Sequence, residues 1–178
     1  MNDEKVIQGL KNEDRQAQQW LYDKYSPILL GICRRYVKVM EDAEDVLIDT
    51  FFKIFTNIQQ YKGAGSFEGW MKRIAVNESL MFLRKNHNFR LTVEISNVEI
   101  ATKSSALENL QERDVMALLQ KLPTGYRTVF NMYVVEGYKH REIAEILNIS
   151  INTSKSQLIL AKKRLRTLLA NQELGDVG

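Results

Sequence analysis

One apolar stripe limits the fold more than any other feature of this chain. Ala43, Val46, Leu47, Thr50, Phe51, Ile54, Phe55 and Ile58 stand at i, i+3, i+4, i+7, i+8, i+11, i+12 and i+15. That spacing marks one face of an α-helix and fits no strand. Helical signals continue on both sides. Asp14 to Tyr25 and Pro27 to Val37 read as one or two helices, with Pro27 suited to a helix start. Tyr61-Lys62-Gly63-Ala64-Gly65-Ser66 is a turn signal, after which Ser66 caps a helix running to about Lys85. Only 2 of 178 residues are Pro and 9 are Gly, which argues against an architecture of many strands and turns.

From Asn86 to about Ser105 the periodicity collapses. Val93, Ile95, Val98 and Ile100 alternate briefly among polar residues, so a linker with a short extended piece is expected. A lone strand would have nothing to pair with. Ser105-Ala106-Leu107-Glu108 has capping-box spacing and opens a helix that ends at Leu122-Pro123. Thr124 is placed to cap the next helix, which passes Val129 and Tyr133 and ends near Gly137. A short helix spans Arg141 to Leu147. Asn148 suits a left-handed turn, and Ser150 starts a last helix reaching about Leu169. The expected fold is all-α: two small helical domains, 1–88 and 106–178, joined by a flexible linker, 89–105. The C-terminal domain is a helix-turn-helix.

The formal charge of +3 is unevenly spread. Residues 1–60 carry net −2, 61–106 net +3 and 107–178 net +2. A single cysteine, Cys33, excludes a disulfide framework and a multi-Cys metal site and reads as a buried, inert thiol. No apolar run approaches the ~18 residues of a membrane span. The acidic start lacks the layout of a signal peptide, so a cytoplasmic location is expected. Walker, HExxH, Gly-x-Ser-x-Gly and dinucleotide motifs are all missing. His87 and His140 have no matching ligands. The chain is therefore expected to be no enzyme, to hold no metal or cofactor and to take no small-molecule substrate.

Three surfaces stand out. On the helix of the apolar stripe, the opposite side carries Glu41, Asp45 and Asp49 with Ile48 and Phe52 among them. Apolar residues rimmed by acids suit a basic protein partner; the alternative is that Phe52 packs on a neighbouring helix. The helix from Ser66 carries Lys72, Arg73, Arg84 and Lys85. There Trp70 either stacks on bases or joins the core, the reading we favour. Asn77 either bonds a base edge or phosphate or is satisfied within the bundle. Finally, residues 139–166 carry seven Lys plus Arg and two Glu, net +5. Ser150, Asn152, Thr153, Lys155, Ser156 and Gln157 open the last helix with side chains suited to base edges and phosphates. Lys162, Lys163, Arg164 and Arg166 follow. A solvated αα-hairpin is the alternative.

With both blocks read, the chain resembles a bacterial RNA polymerase sigma factor of the extracytoplasmic-function type, in the sigma-70 family. Asp42-Ala-Glu-Asp-Val-Leu-Ile-Asp-Thr-Phe51 is similar to that family's polymerase-binding helix. Phe67-Glu-Gly-Trp-Met-Lys-Arg-Ile-Ala-Val-Asn77, continuing to Leu83-Arg84-Lys85, is similar to its −10 helix. Leu122-Pro123 to Arg127, Glu136-Gly137 and Thr153-Ser-Lys-Ser156 are similar to its −35 domain. The resemblance implies that Asp42, Asp45, Ile48, Asp49 and Phe52 bind core RNA polymerase. Lys62, Trp70, Arg73, Asn77, Arg84 and Lys85 would meet the −10 element. Arg141, Ser150, Asn152, Thr153, Lys155, Ser156, Gln157 and Lys163 would meet the −35 element. It also implies promoter DNA and an anti-sigma factor as partners. Ile48 departs from a frequent Gln of the family, and Gln157 and Leu160 from frequent Arg residues. Two other readings stay open: a polymerase-independent helix-turn-helix regulator and a helical protein-binding adaptor.

Overall fold

The computed structural model describes residues 3–85 and 112–175. Among these residues every regular element is helical. They fall into two compact units, one within Met1–His87 and the other within Asn88–Gly178. The expected linker, its brief alternation at Val93 to Ile100 and the capping box at Ser105 lie outside the described residues.

In the first unit, α1 (Asp3–Lys11), α2 (Arg15–Tyr36), α3 (Met40–Asn57) and α4 (Phe67–Lys85) form a bundle, with a 3-10 turn at Ile58–Gln60. Most of the stripe is buried as its spacing predicts: Ala43, Val46, Leu47, Thr50, Phe51 and Ile54 face inward, Ile58 is buried in the turn that follows, and Phe55 is only half-buried. They meet Leu21, Tyr25, Leu29 and Cys33 of α2 and Met71, Ala75 and Leu80 of α4 in one core. Cys33 is fully buried, and burial pushes its thiol up to about 11, the nearby Ser79 and Thr50 hydroxyls opposing the shift. It therefore stays protonated and unreactive at neutral pH.

Two local features differ from expectation. Pro27 lies inside α2 rather than starting a new helix. It forfeits one backbone hydrogen bond, but Pro27 and Asp23 are on the exposed side, where water can satisfy the orphaned carbonyl. The buried row through Leu21, Tyr25, Leu29 and Ile32 holds the helix continuous. The second feature is α1, whose two buried apolar residues, Val6 and Leu10, are too sparse a signal in sequence. Its position depends on Gly9, where a Cβ would stand 2.7 Å from the Ala17 Cβ of α2. Asp14 closes the turn: its side chain accepts the Gln16 N–H at 2.8 Å.

The second unit contains α5 (Glu112–Gln120), α6 (Thr124–Phe130), a π-helical segment (Asn131–Val135), α7 (His140–Leu147) and α8 (Ile151–Gly175). Thr124 is the first residue of α6 rather than its cap; the preceding position is Pro123. The π segment was not legible in the sequence. Asn148 adopts the left-handed conformation, φ 53°, and the Ile149 N–H reaches back to the Ala144 carbonyl at 3.0 Å. Ser150 then caps α8 by accepting the Thr153 N–H at 2.9 Å. Ile143, Ala144 and Leu147 of α7 and Leu158, Ala161 and Leu165 of α8 share the core with Leu118, Leu122 and Val129.

Gln157 does not take the place expected of it. Only 1% exposed, it continues the inward row Ser154, Leu158, Ala161 and Leu165, and neither amide atom has a hydrogen-bond partner. Helix phase, not side-chain chemistry, decides its direction. Gln157→Leu keeps the side chain's approximate volume and removes two unsatisfied atoms. Unfolding of the second unit, followed by helical circular dichroism in urea, is expected to show a gain of about 1 kcal/mol; a clear loss would mean that the amide is satisfied in solution. Gly9→Ala should destabilise the first unit by up to about 2 kcal/mol, overpacking outweighing the better helix propensity. Both tryptophans, Trp20 and Trp70, belong to that unit, so their fluorescence reports its unfolding separately.

Candidate functional site

The first candidate surface lies on α3. Because Val46, Leu47 and Thr50 point into the core, the intervening positions must point out. Ile48 and Phe52 are 62% and 64% exposed, so Phe52 does not pack on a neighbouring helix. Asp45 and Asp49 are exposed beside them, and Asp42 is half-buried at the start of the helix. Asp42 has a second, local role. Val39 offers no capping side chain, and Glu41 and Asp42 place negative charge in the first turn, where the helix dipole favours it. Across from Asp49, burial raises the carboxyl of Glu78 on α4; Lys53 opposes that shift, Asp49 adds to it and Lys85 opposes it.

Beside Ile48 runs an open groove of about 430 Å³ between α2 and α3, lined by Tyr22, Ser26, Pro27, Leu30, Glu44, Leu47 and Ile48. Tyr22 is 43% exposed and its ring lies 4.8 Å from that of Phe51. The apolar surface therefore extends from α3 onto α2. Sequence alone does not reveal this extension, because Pro27 suits a helix start and the stretch reads as one helix or two. Tyr22, Ser26 and Leu30, at i, i+4 and i+8, form a row only on a continuous helix.

The second surface is the start of α4 with the loop before it. Tyr61, Phe67 and Trp70 make an aromatic trio: the Tyr61 ring lies 5.2 Å from Phe67 and 5.3 Å from Trp70. Phe67 and Trp70 stack at 5.7 Å. Phe67 is buried, whereas Trp70 is half-buried, so it belongs partly to the core and partly to the surface. The Tyr61 hydroxyl donates to the Gly65 carbonyl at 2.9 Å, which folds the loop back on itself and leaves Lys62 exposed. Ser66 accepts the Gly69 N–H at 3.0 Å, the cap its position predicts. Arg73, Asn77, Arg84 and Lys85 are all exposed.

The third surface is the helix-turn-helix of α7 and α8. Arg141, Ser150, Asn152, Lys155 and Lys163 are exposed, and Thr153 and Ser156 half-exposed. Several of the short polar groups are occupied locally. The Ser150 and Thr153 hydroxyls lie 2.8 Å apart, and the Ser156 hydroxyl donates to the Asn152 carbonyl at 2.9 Å. Asn152, Lys155, Ile159 and Lys163 lie along the outward side of α8, opposite its buried row. Gln157 is excluded from this face by its burial.

Sequence reasoning also passed over His140. Its ring stacks on Tyr133 of the π segment, with centroids 4.4 Å apart. Its Nδ1 lies 2.9 Å from the hydroxyl of Ser154, a fully buried residue of α8. Burial lowers its pKa below the ordinary histidine value, and Lys155 and Lys162 lower it further. The lack of neighbouring metal ligands in sequence says nothing about an interhelical hydrogen bond of this kind.

Two family models match this chain: Sigma-70 region 2 over residues 21–89 and Sigma-70, region 4 over residues 112–165. They cover the first unit from α2 onward and the second unit through most of α8. Full-length relatives agree. The ECF RNA polymerase sigma-E factor of Haemophilus influenzae is 25% identical, covering 93% of this chain and 94% of its own length. The ECF RNA polymerase sigma factor SigW of Bacillus subtilis is 28% identical, covering 93% and 95%. Among solved structures, CnrH in complex with the cytosolic domain of CnrY superposes with a TM-score of 0.52 at 21% identity, covering 95% of this chain and 97% of that one. The sigma factor RpoE, in complex with the anti-sigma factor NepR from Bartonella quintana, gives 0.51 at 21% identity, covering 85% and 96%; both show a shared fold. With a region 2 unit and a region 4 unit in that order on one chain, the chain belongs to the sigma-70 family as a sigma factor of the extracytoplasmic-function type.

Proposed function

We propose that this sigma factor directs promoter recognition through three separable surfaces, with no covalent chemistry of its own and acting in the cytoplasm. The α3 face of Asp42, Asp45, Ile48, Asp49 and Phe52, extended by Tyr22 on α2, docks on core RNA polymerase. Lys62, Trp70, Arg73, Asn77, Arg84 and Lys85 meet the −10 element. The outward side of α8, with Arg141 of α7, meets the −35 element through Asn152, Lys155, Ser156 and Lys163. Ser150 and Thr153 act there mainly by fixing the helix start. The residues 1–88 and 106–178 then work as separate recognition domains, with 89–105 as the tether.

The observation that carries the polymerase assignment is the exposure of Ile48 and Phe52. Burying each against a partner is worth about 1.5–3 kcal/mol, and the acids around them select a basic partner. A helix-turn-helix regulator acting alone would have no use for that face. Two solved relatives are held in complexes with the cytosolic domain of CnrY and with the anti-sigma factor NepR. By analogy, an anti-sigma factor is the partner that would mask this chain when it is idle.

Run-off transcription with core polymerase on genomic promoter fragments is the direct test, and a promoter-specific transcript is expected. Failure to produce one, with a folded protein that binds core, would count heavily against this function. Asp45→Arg combined with Asp49→Arg should weaken core binding at least about tenfold by placing like charges at the interface. Duplex DNA binding by the same variant should not change; equal core affinity would remove α3 as the interface. Lys155→Ala should lower DNA affinity and reduce the salt dependence of binding by about 1 in log–log slope. An unaltered slope would show that Lys155 touches no phosphate.

A further inference from the structure

We propose that His140 is an additional DNA contact of the helix-turn-helix, binding a backbone phosphate most tightly as imidazolium, so that −35 binding takes up a proton. The inference rests on the DNA-binding role given above to α7 and α8. It adds a residue and a regulatory consequence to that role.

The geometry is that of a basic cluster held in place from two sides. His140 is the first residue of α7, the part of a helix-turn-helix that approaches the phosphate backbone as the first helix crosses it. Tyr133 of the π segment packs against one face of the ring. Ser154 of α8 fixes its Nδ1 edge at 2.9 Å. Ser154 serves either protonation state, since its hydroxyl donates to a neutral Nδ1 and accepts from a protonated one. The ring thus keeps one orientation while its charge changes.

The charged surroundings favour an anion. From α8, Lys155 and Lys162 act on the ring and hold its pKa down. On its own helix, Arg141 is exposed, and the Glu142 carboxylate accepts the Lys139 N–H at 2.7 Å. Glu136 and Tyr138 lie on the stretch between the π segment and α7. In the free protein, therefore, partial burial and the two lysines disfavour the imidazolium. A phosphate set between His140, Lys155 and Lys162 reverses the balance. It screens the lysines and offers a charge-assisted hydrogen bond, about twice as strong as a neutral one.

The sign follows. His140 has a lower pKa in the free chain than in the complex. Binding therefore takes up a proton between those two values. Affinity rises as pH falls through the bound-state pKa and levels off below the free-state pKa. Each unit of difference corresponds to a tenfold change in affinity.

The test uses the full chain and a duplex that the full chain selects from a random-sequence pool, kept only if Lys155→Ala weakens its binding. The chain has two histidines, so His87→Gln leaves His140 as the only imidazole seen by NMR. Its titration midpoint is expected to move up by about one unit when the duplex is added. Affinity should tighten about tenfold on acidification across that window. His140→Gln should abolish this pH dependence, and His140→Lys should keep the low-pH affinity at high pH. An unmoved midpoint overturns the proposal, as does a His140→Gln variant that loses affinity equally at every pH, the mark of a purely structural histidine. Should the pool yield no duplex at all, both this inference and the DNA-binding reading fall; duplexes that are all indifferent to Lys155→Ala remove the inference alone, since its phosphate cluster includes Lys155. A duplex bound without any pH effect removes the inference alone.

Discussion

The packing of α3 against α2 and α4 governs the first unit. Its inward row, Ala43, Val46, Leu47, Thr50, Phe51 and Ile54, occupies the positions that a 3.6-residue period allows on one face. Two consequences follow from that saturation. The core is closed without Ile48 and Phe52, so these side chains have no intramolecular place to go. They also sit on a stiff, fully formed helix rather than on a loop, which fixes their spacing before any partner arrives. Little ordering entropy remains to be lost on docking. Exposing two large apolar groups forgoes stability that burial would bring, and α3 accepts that cost at the residues assigned to binding.

The second unit reaches a similar result by another route. Of the two helices of its helix-turn-helix, α7 is short, with only eight residues to pack. What sets their angle is the turn at Asn148 to Ser150, the apolar row on α8, and the His140–Ser154 hydrogen bond across the hairpin. The π segment matters here because it ends in the stretch that feeds α7 and supplies Tyr133 for the ring stack. Such segments recur at functional sites since the extra residue per turn redirects side chains. Here Tyr133 is directed onto His140, and Val134 and Val135 are left exposed.

Most of the described fold was legible in the sequence wherever a helix carried a long, regular stripe. The stripe on α3, the Ser66 cap, the left-handed Asn148 and the Ser150 start of α8 all follow from local rules that packing does not overturn. Legibility failed where position and residue type disagreed. Pro27 announces a helix start, yet the row through Leu21, Tyr25, Leu29 and Ile32 continues across it. Gln157 looks like a base reader by type, yet it stands four residues before Ala161 and three after Ser154, on the buried row. In both cases the period was the better guide. The short α1 and the π segment had no adequate periodic signal at all, and their positions depend on tertiary contacts such as the Gly9–Ala17 approach.

The same contrast explains how the small net charge serves two kinds of partner. A charge of +3 spread evenly would make the whole molecule a weak polycation. Instead the acids concentrate where apolar groups are exposed on α3. The bases concentrate on α4 and on the outward side of α8, among short polar and aromatic groups. Long-range attraction would steer each surface toward the partner proposed for it. Selectivity comes at contact range, because Ile48 and Phe52 gain nothing from DNA and Asn152 and Lys155 gain little from a basic protein. A uniformly more basic chain would bind DNA more tightly as a free protein and would weaken the preference proposed for α3. Segregated charge with a near-neutral sum avoids that conflict, which makes the sign pattern along the chain more informative than its total.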